Sequence, residues 1–342
     1  MWIRERIEQQ ETETLSPFAS LACKSKGRRV FEEQDPVRTC FQRDRDRILH
    51  SKSFRRLKHK TQVFINPKGD HYRTRMTHTL EVTQIARTIA RALRMNEDLT
   101  EAIALGHDVG HTPFGHAGEF AMDECLKKHA PNTEFRHYEQ SLRVLTELEN
   151  DGEGINLTWE TLDGIGGHSK GKADLTGFEN EKVSSIEAAI VRVSDRIAYL
   201  NHDLDDALRA GILEWETIPD NIKNLGDSQS QRIGVMVENI ISESYEKPFI
   251  QFSDELLMIM NEMKDFLFDN VYYAYPQKFD DVKKAQHVVR SLFEYYMNHP
   301  NEMPERFEGL QGVVDYVSGM TDRFAISKYM ELFVPTEWTQ DR

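Results

Sequence analysis

The stretch IALGHDVGHTPFGHAGE, Ile103 to Glu119, places His107, Asp108, His111, His116 and Glu119 within seventeen residues, punctuated by Gly106, Gly110, Pro113, Gly115 and Gly118. Imidazole and carboxylate are the ligands that hold borderline divalent metals, and a histidine beside an aspartate offers nitrogen and oxygen to one ion. The glycines and the proline predict that a helix ends near Gly106 and a tight loop follows, so these side chains sit on irregular backbone. The competing account is a polar loop with surface histidines, against which the density of ligand-type groups weighs.

Working outward, Met76–Met95 has an amphipathic helical pattern, with Val82, Ile85, Ile89 and Leu93 at helical spacing. His78 lies in its first turn, three residues after Arg75, so both project to one side. Asp98 is expected to cap a helix through Leu105 that delivers His107 and Asp108 at its end. Helices are also expected over Ala117–Lys128, over Phe135–Leu148 with His137 near its start, and over Thr158–Ile165. A capping box, Ser184 to Glu187, opens another that runs to about Arg209. Ile190, Val193, Ile197, Leu200 and Leu204 form its apolar stripe. On a different face Asp195, Tyr199 and Asp203 fall at i, i+4 and i+8, a ridge that the flanking alanines turn toward a cavity rather than solvent.

Elsewhere Met1–Thr14 reads as polar and partly disordered, Leu15–Arg38 as irregular, and Asp44–Leu57 as helix. Asn66-Pro67-Lys68-Gly69 is a turn signal between β-prone stretches, predicting a short hairpin at 62–73. Helices follow at about Arg232–Tyr245, Asp254–Asn270, Asp281–Met297 and Val313–Leu332, with Tyr272, Tyr273, Tyr275 and Phe279 expected in the core or an interface. GGHSKGK at Gly166–Lys172 nearly fits a phosphate loop. Ala173 stands where a hydroxyl is required and no strand precedes it, so that motif is rejected and Ser169–Glu181 is expected to be a mobile loop. No repeat or low-complexity tract is present. The expected fold class is all-α, with the hairpin as its one β feature.

At 342 residues the chain can bury a large core. Charged residues make up 29% and the apolar set 39%, and no apolar run approaches the roughly 20 residues needed to span a bilayer. The start lacks a secretory pattern, so no membrane association and a cytoplasmic location are expected. Cys23, Cys40 and Cys125, without CxxC spacing, fit reduced thiols. The net charge of -14 disfavours general polyanion binding. Yet Arg43, Arg45, Arg47, Lys52, Arg55, Arg56, Lys58, Lys60, Lys68, Arg73 and Arg75 form a basic zone suited to a small anionic ligand in a pocket, or, for most of them, to a solvated face paired with acids.

His78, His107-Asp108 and Asp195 would give two nitrogens and two oxygens around one ion, leaving positions open for water and substrate. Spacing alone does not select those partners, because thirteen histidines compete. The four match the H...HD...D pattern of HD-domain metal phosphohydrolases. Together with FQRDRDRI (Phe41–Ile48), FRRL (Phe54–Leu57), KTQVF (Lys60–Phe64), THTLEV (Thr77–Val82), His107–Glu119 and DYVSGMTD (Asp315–Asp322), the chain from about Leu15 to Leu332 resembles the deoxyguanosine triphosphate triphosphohydrolase (dNTPase) family.

The resemblance implies a mostly helical enzyme that hydrolyses dGTP or other dNTPs to deoxynucleoside and inorganic triphosphate, using Mn2+ or Mg2+. It implies a homo-oligomer, hexameric or dimer-based, with a nucleotide activator or single-stranded DNA as further partners to consider. Residues 1–40 would be an N-terminal arm, 41–215 the HD core, and 216–342 a helical region packed on it. Carried over, His78, His107, Asp108 and Asp195 match the metal ligands. His116 matches the catalytic histidine, with Glu119 its partner carboxylate. Gln62 and Asp203 match positions at the sugar 3′-OH, Tyr199 lies against the sugar, and Arg75, His111, His137 and Arg196 match positions around the phosphates. Where the family often has a basic residue before His168, Gly166-Gly167 stand here, so no phosphate contact is carried over at that point. Rival expectations are another HD phosphohydrolase, a 5′-nucleotidase or guanosine tetraphosphate hydrolase, and a non-enzymatic nucleotide-sensing or single-stranded-DNA-binding oligomer.

Overall fold

The computed structural model describes residues 2–62, 73–167, 184–272 and 280–335. The helices are α1 (Ile3–Thr14), α2 (Cys40–His50), α3 (Lys52–Arg56), α4 (Arg75–Ala92), α5 (Glu97–Gly106), α6 (Gly115–His129), α7 (His137–Arg143) and α8 (Trp159–Gly167). They continue as α9 (Ile186–Arg209), α10 (Asp220–Lys223), α11 (Gln229–Ser244), α12 (Asp254–Leu267), α13 (Asp281–Asn298), α14 (Gly309–Ser318) and α15 (Asp322–Phe333). The all-α expectation holds, but the hairpin is not borne out. Among the described residues the only pairing near 62–73 is an isolated antiparallel bridge between Thr61 and Thr74, and 63–72 lie outside them. The expected loop Ser169–Glu181 and the aromatics Tyr273, Tyr275 and Phe279 also lie outside the described residues.

Helix α9 is the axis of the larger core. Its predicted stripe, Ile190, Val193, Ile197, Leu200 and Leu204, is fully buried, each side chain contributing about 1.5–3 kcal/mol of burial. α4, α5, α8, α11 and α12 pack around it, closing a cluster with Ile85, Ile89, Leu99, Ile103, Ile165, Met236 and Met260. A second cluster joins α6, α13, α14 and α15 through Met122, Val289, Phe293, Val313, Val317 and Ala325. The segment after α5 crosses from one to the other, with Val109 in the first and Phe114 in the second.

Several boundaries differ from the sequence expectation, each for a local reason. The helix expected over Asp44–Leu57 breaks at Ser51, whose hydroxyl accepts the Phe54 N–H and starts α3. Asn96, not Asp98, caps α5 by accepting the Leu99 N–H at 3.1 Å, while Asp98 pairs with Arg45. Ser185, not Ser184, caps α9, and Glu187 instead accepts hydrogen bonds from Ser20 and the Asn96 N–H. The Phe135–Leu148 helix is α7 followed by a π-helical segment at Val144–Leu148. Val313–Leu332 splits into α14 and α15, with Thr321 capping the second. Met1–Thr14, expected to be partly disordered, is α1 over most of its length. An i,i+4 pair, Arg4 to Glu8, and the buried bond from the Ala22 N–H to Glu11 hold a helix that has no apolar stripe.

Candidate active site

Three helices bring the predicted metal ligands together. Thr74 caps α4 and puts His78 one turn in; α5 ends at Gly106, where a Cβ would meet Ile165 Cδ1 at 2.5 Å, and releases His107 and Asp108. Asp195 comes from the middle of α9. His78 Nε2 lies 3.0 Å from Asp195 Oδ1, and His107 Nε2 lies 3.4 Å from Asp108 Oδ1 and 3.9 Å from Asp195 Oδ1. His107 Nδ1 sits 2.6 Å from the Ala104 carbonyl. A carbonyl only accepts, so Nδ1 carries a proton and Nε2 is the ring nitrogen that faces the carboxylates. His78, His107 and Asp108 are buried, whereas the Asp195 side chain is 28% exposed, which leaves the cluster an open side.

The donor set fits a divalent cation. Ligand atoms of His78, His107 and Asp195 lie within 4.8 Å of one another, and Asp108 stands at the edge of that set. Burial pushes the Asp195 carboxyl up, but the His78 hydrogen bond and neighbouring His107 hold it below its ordinary value. Asp108 is also pushed up by burial and, more strongly, down by His107, Arg75 and His111, to well below the carboxylate range. A second group, Asp108, His111 and His137, has similar spacing. There Arg75 Nη1 donates to Asp108 Oδ2 at 2.6 Å, and a guanidinium so close favours an anion over a second cation.

Next to Arg75 the rings of His111 and His137 stack, centroids 3.9 Å apart and 13° from parallel. Burial, Arg75 and His137 hold His111 well below its ordinary value. Burial lowers the His137 imidazole, and the Glu119 charge and hydrogen bond reverse this and raise it. Glu119 Oε1 accepts the His137 backbone N–H at 3.0 Å and lies 2.9 Å from its Nδ1. Glu119 Oε2 is 3.5 Å from His116 Nδ1. The expected His116/Glu119 pair is therefore shared, with His137 the nearer partner. His116 itself projects outward, its side chain 69% exposed.

Of the expected sugar-side residues, Tyr199 and Asp203 share a stretch of α9 with Arg196, expected at the phosphates, whose Nη1 donates to the Tyr199 hydroxyl at 3.1 Å. Burial raises the Asp203 carboxyl to about 6, and it accepts a hydrogen bond from the Tyr272 hydroxyl. Gln62 adjoins the other end of the site, its carbonyl 3.5 Å from Arg75 Nη2. Gln62 Oε1, His111 Nδ1 and Asp203 Oδ1 are buried without a hydrogen-bond partner among the described residues, a costly state that a polar ligand relieves.

Three residues have roles that the sequence reading did not assign. His202 is buried, its Nδ1 3.5 Å from His78 Nδ1 and its Nε2 3.1 Å from Glu81, the outer contact that orients a ligating imidazole. Its position seven residues after Asp195, on the same helical face, was the available signal. Lys60 is buried and donates to the His111 and Ser318 carbonyls. Asp322 accepts from Phe114 and Thr61. Neither has a periodic signature. In the basic zone, Arg43 and Arg47 pair with Glu32, Arg45 with Asp98, and Arg73 with Glu81 and Asp206.

Residues 75–200 match the HD domain family, and 250–331 match the phosphohydrolase-associated domain. The deoxyguanosinetriphosphate triphosphohydrolase-like protein of Caldanaerobacter subterraneus subsp. tengcongensis is 51% identical, the match covering 99% of this chain and 98% of that protein. The chain belongs to the deoxyguanosinetriphosphate triphosphohydrolase-like family. Further members of that name, from Desulfatibacillum aliphaticivorans and Clostridium perfringens, are 48% and 46% identical, each match covering 98% of this chain and 99% and 98% of theirs. A solved structure of a hypothetical protein from Aquifex aeolicus aligns with a TM-score of 0.48 at 18% identity, over 85% of this chain and 71% of its own. In this triphosphohydrolase-like chain the HD match begins at Arg75 and spans His78, His107, Asp108 and Asp195. No helix among the described residues is long and apolar enough to cross a membrane.

Proposed function

We propose that this enzyme is a metal-dependent dNTP triphosphohydrolase, cleaving dGTP or other dNTPs to deoxynucleoside and inorganic triphosphate. The observation that carries the reading is the approach of His78, His107 and Asp195 to one point, with Asp108 3.4 Å from His107 at its edge and Arg75, His111 and His137 beside it. In this reading those four hold one Mn2+ or Mg2+. A divalent ion held there offsets phosphate charge and lowers the pKa of water. Arg75, His111, His137 and Arg196 bind the phosphates. His116, oriented through Glu119, donates a proton to the departing 5′ oxygen. Gln62 and Asp203 hold the sugar 3′-OH, and Tyr199 packs where a 2′-OH would project, favouring dNTP over NTP.

Residues 41–215 then form the catalytic core, 1–40 an arm, and 216–342 the helical region against it. The protein works in the cytoplasm as a homo-oligomer, hexameric or dimer-based, whose size light scattering would give. The deciding experiment supplies purified protein with Mn2+ or Mg2+ and each dNTP, alone and in mixtures that reveal a nucleotide activator, and resolves the products by chromatography. Triphosphate with deoxynucleoside is expected; release of orthophosphate or pyrophosphate would instead point to a 5′-nucleotidase or a guanosine tetraphosphate hydrolase. A role limited to binding single-stranded DNA has less support, because Arg43, Arg45 and Arg47 are paired with acids. Salt-dependent DNA binding is its test.

A further inference from the structure

We propose that Asp322, far along the chain on α15, is a positioning residue for His116, a role that rests on the triphosphohydrolase reading above. Its Oδ1 accepts the Phe114 N–H at 2.9 Å, and its Oδ2 accepts the Thr61 N–H at 3.0 Å and the Thr61 hydroxyl. One carboxylate thus fastens the backbone two residues before His116 to the backbone next to Gln62.

The segment it grips is under tension. Phe114 is buried at φ 64°, ψ 25°, a left-handed conformation that a non-glycine residue keeps only when its surroundings impose it. It starts α6 without a side-chain cap. Gly115 follows at φ 54°, where a Cβ would lie 2.9 Å from the Gln62 carbonyl. Lys60 secures the other end of the same segment, donating to the His111 carbonyl and, at 3.0 Å, to that of Ser318. The turn between α14 and α15 therefore holds the segment 111–114 at both ends. His116, mostly exposed and 3.5 Å from Glu119, takes its position from this backbone. A misplacement of about 1 Å costs on the order of 10²-fold in rate.

Asp322→Asn keeps the shape but turns an N–H₂ toward one of two backbone N–H donors. Thr321→Ala removes only the cap of α15, whose hydroxyl accepts the Phe324 N–H, and serves as the stability control. For Asp322→Asn a kcat loss of about 10²-fold is expected, with KM and Mn2+ binding close to wild type. Hydrogen exchange should be faster in the peptide spanning 111–120, and Thr321→Ala should keep its kcat. Asp322→Asn with wild-type kcat overturns the proposal, as does an equal kcat loss in both variants at equal loss of Tm. Should the wild type release no triphosphate, the function proposed above falls, and exchange decides alone: unchanged exchange in Asp322→Asn rejects the positioning role, faster exchange confined to 111–120 upholds the grip on the segment.

Discussion

Glu119 lies closer to His137 than to His116, 2.9 Å against 3.5 Å between the nearest carboxylate oxygen and Nδ1 of each ring. Under the proposed function, one carboxylate thus serves a phosphate-side and a leaving-group-side histidine at once. Glu119→Gln should lower kcat by about 10²-fold or more, the range for a disrupted acid–base group. His137→Ala should mainly raise KM. Steady-state kinetics of both variants separate the roles, and equal effects on kcat would show that His137 also takes part in the chemical step.

Removing a proposed metal ligand should differ from removing the proposed acid. His78→Ala and Asp195→Ala are expected to lose Mn2+ binding in calorimetry together with turnover, as is wild-type protein stripped with chelator. His116→Ala should still bind Mn2+ while turnover falls by about 10²–10⁴-fold. Near-normal turnover in His116→Ala would remove it from the acid role.

Tyr272 donates to Asp203, so Tyr272→Phe leaves a buried carboxylate short of a partner, a loss of about 1–3 kcal/mol. If Asp203 receives the sugar 3′-OH, the variant should discriminate less between dGTP and its 3′-deoxy analogue. Rates for the two substrates measure this, and an unaltered ratio would place Asp203 away from the 3′-OH. In the wild type, equal rates with dGTP and GTP would likewise take Tyr199 out of sugar selection.

Burial raises the Glu11 carboxyl to about 7, from 4.5 in the unfolded chain. Between those values the folded protein holds a proton that the unfolded chain has released, so the stability present below pH 4.5 declines as pH rises and is gone above about pH 7. Melting curves from about pH 5 to 8 should show Tm of the wild type falling more steeply than that of Glu11→Gln, which keeps an acceptor for the Ala22 N–H. Parallel slopes would assign the effect to other groups.

The helices and the His107-Asp108 pair were legible because both carry local signatures, whereas His78 and Asp195 were selected by the family resemblance and not by spacing. The α9 stripe recurs at helical spacing, and His107-Asp108 sits where glycines end a helix. Neighbouring hydroxyls hid the finer points: Ser184 and Ser185 are both competent caps, and the choice between them follows from Glu187 being taken by Ser20 and Asn96. His202 was masked by the more conspicuous Asp195, Tyr199 and Asp203. Lys60 and Asp322 act through backbone groups brought near only by the second hydrophobic cluster, a relation that neither residue's sequence neighbours encode. The N-terminal helix went unseen because its stability comes from ion pairs and docking rather than from an apolar stripe.

Asp108 divides its two oxygens, Oδ2 to Arg75 at 2.6 Å and Oδ1 toward the imidazoles. Whatever draws the guanidinium away returns negative charge to the opposite oxygen. Under the proposed function, an arriving polyphosphate that recruits Arg75 should therefore tighten the hold on the cation, and by thermodynamic reciprocity the cation should tighten the hold on the polyphosphate by the same factor. The two ligands of this site would then be cooperative partners, each scarce visitor recruiting the other.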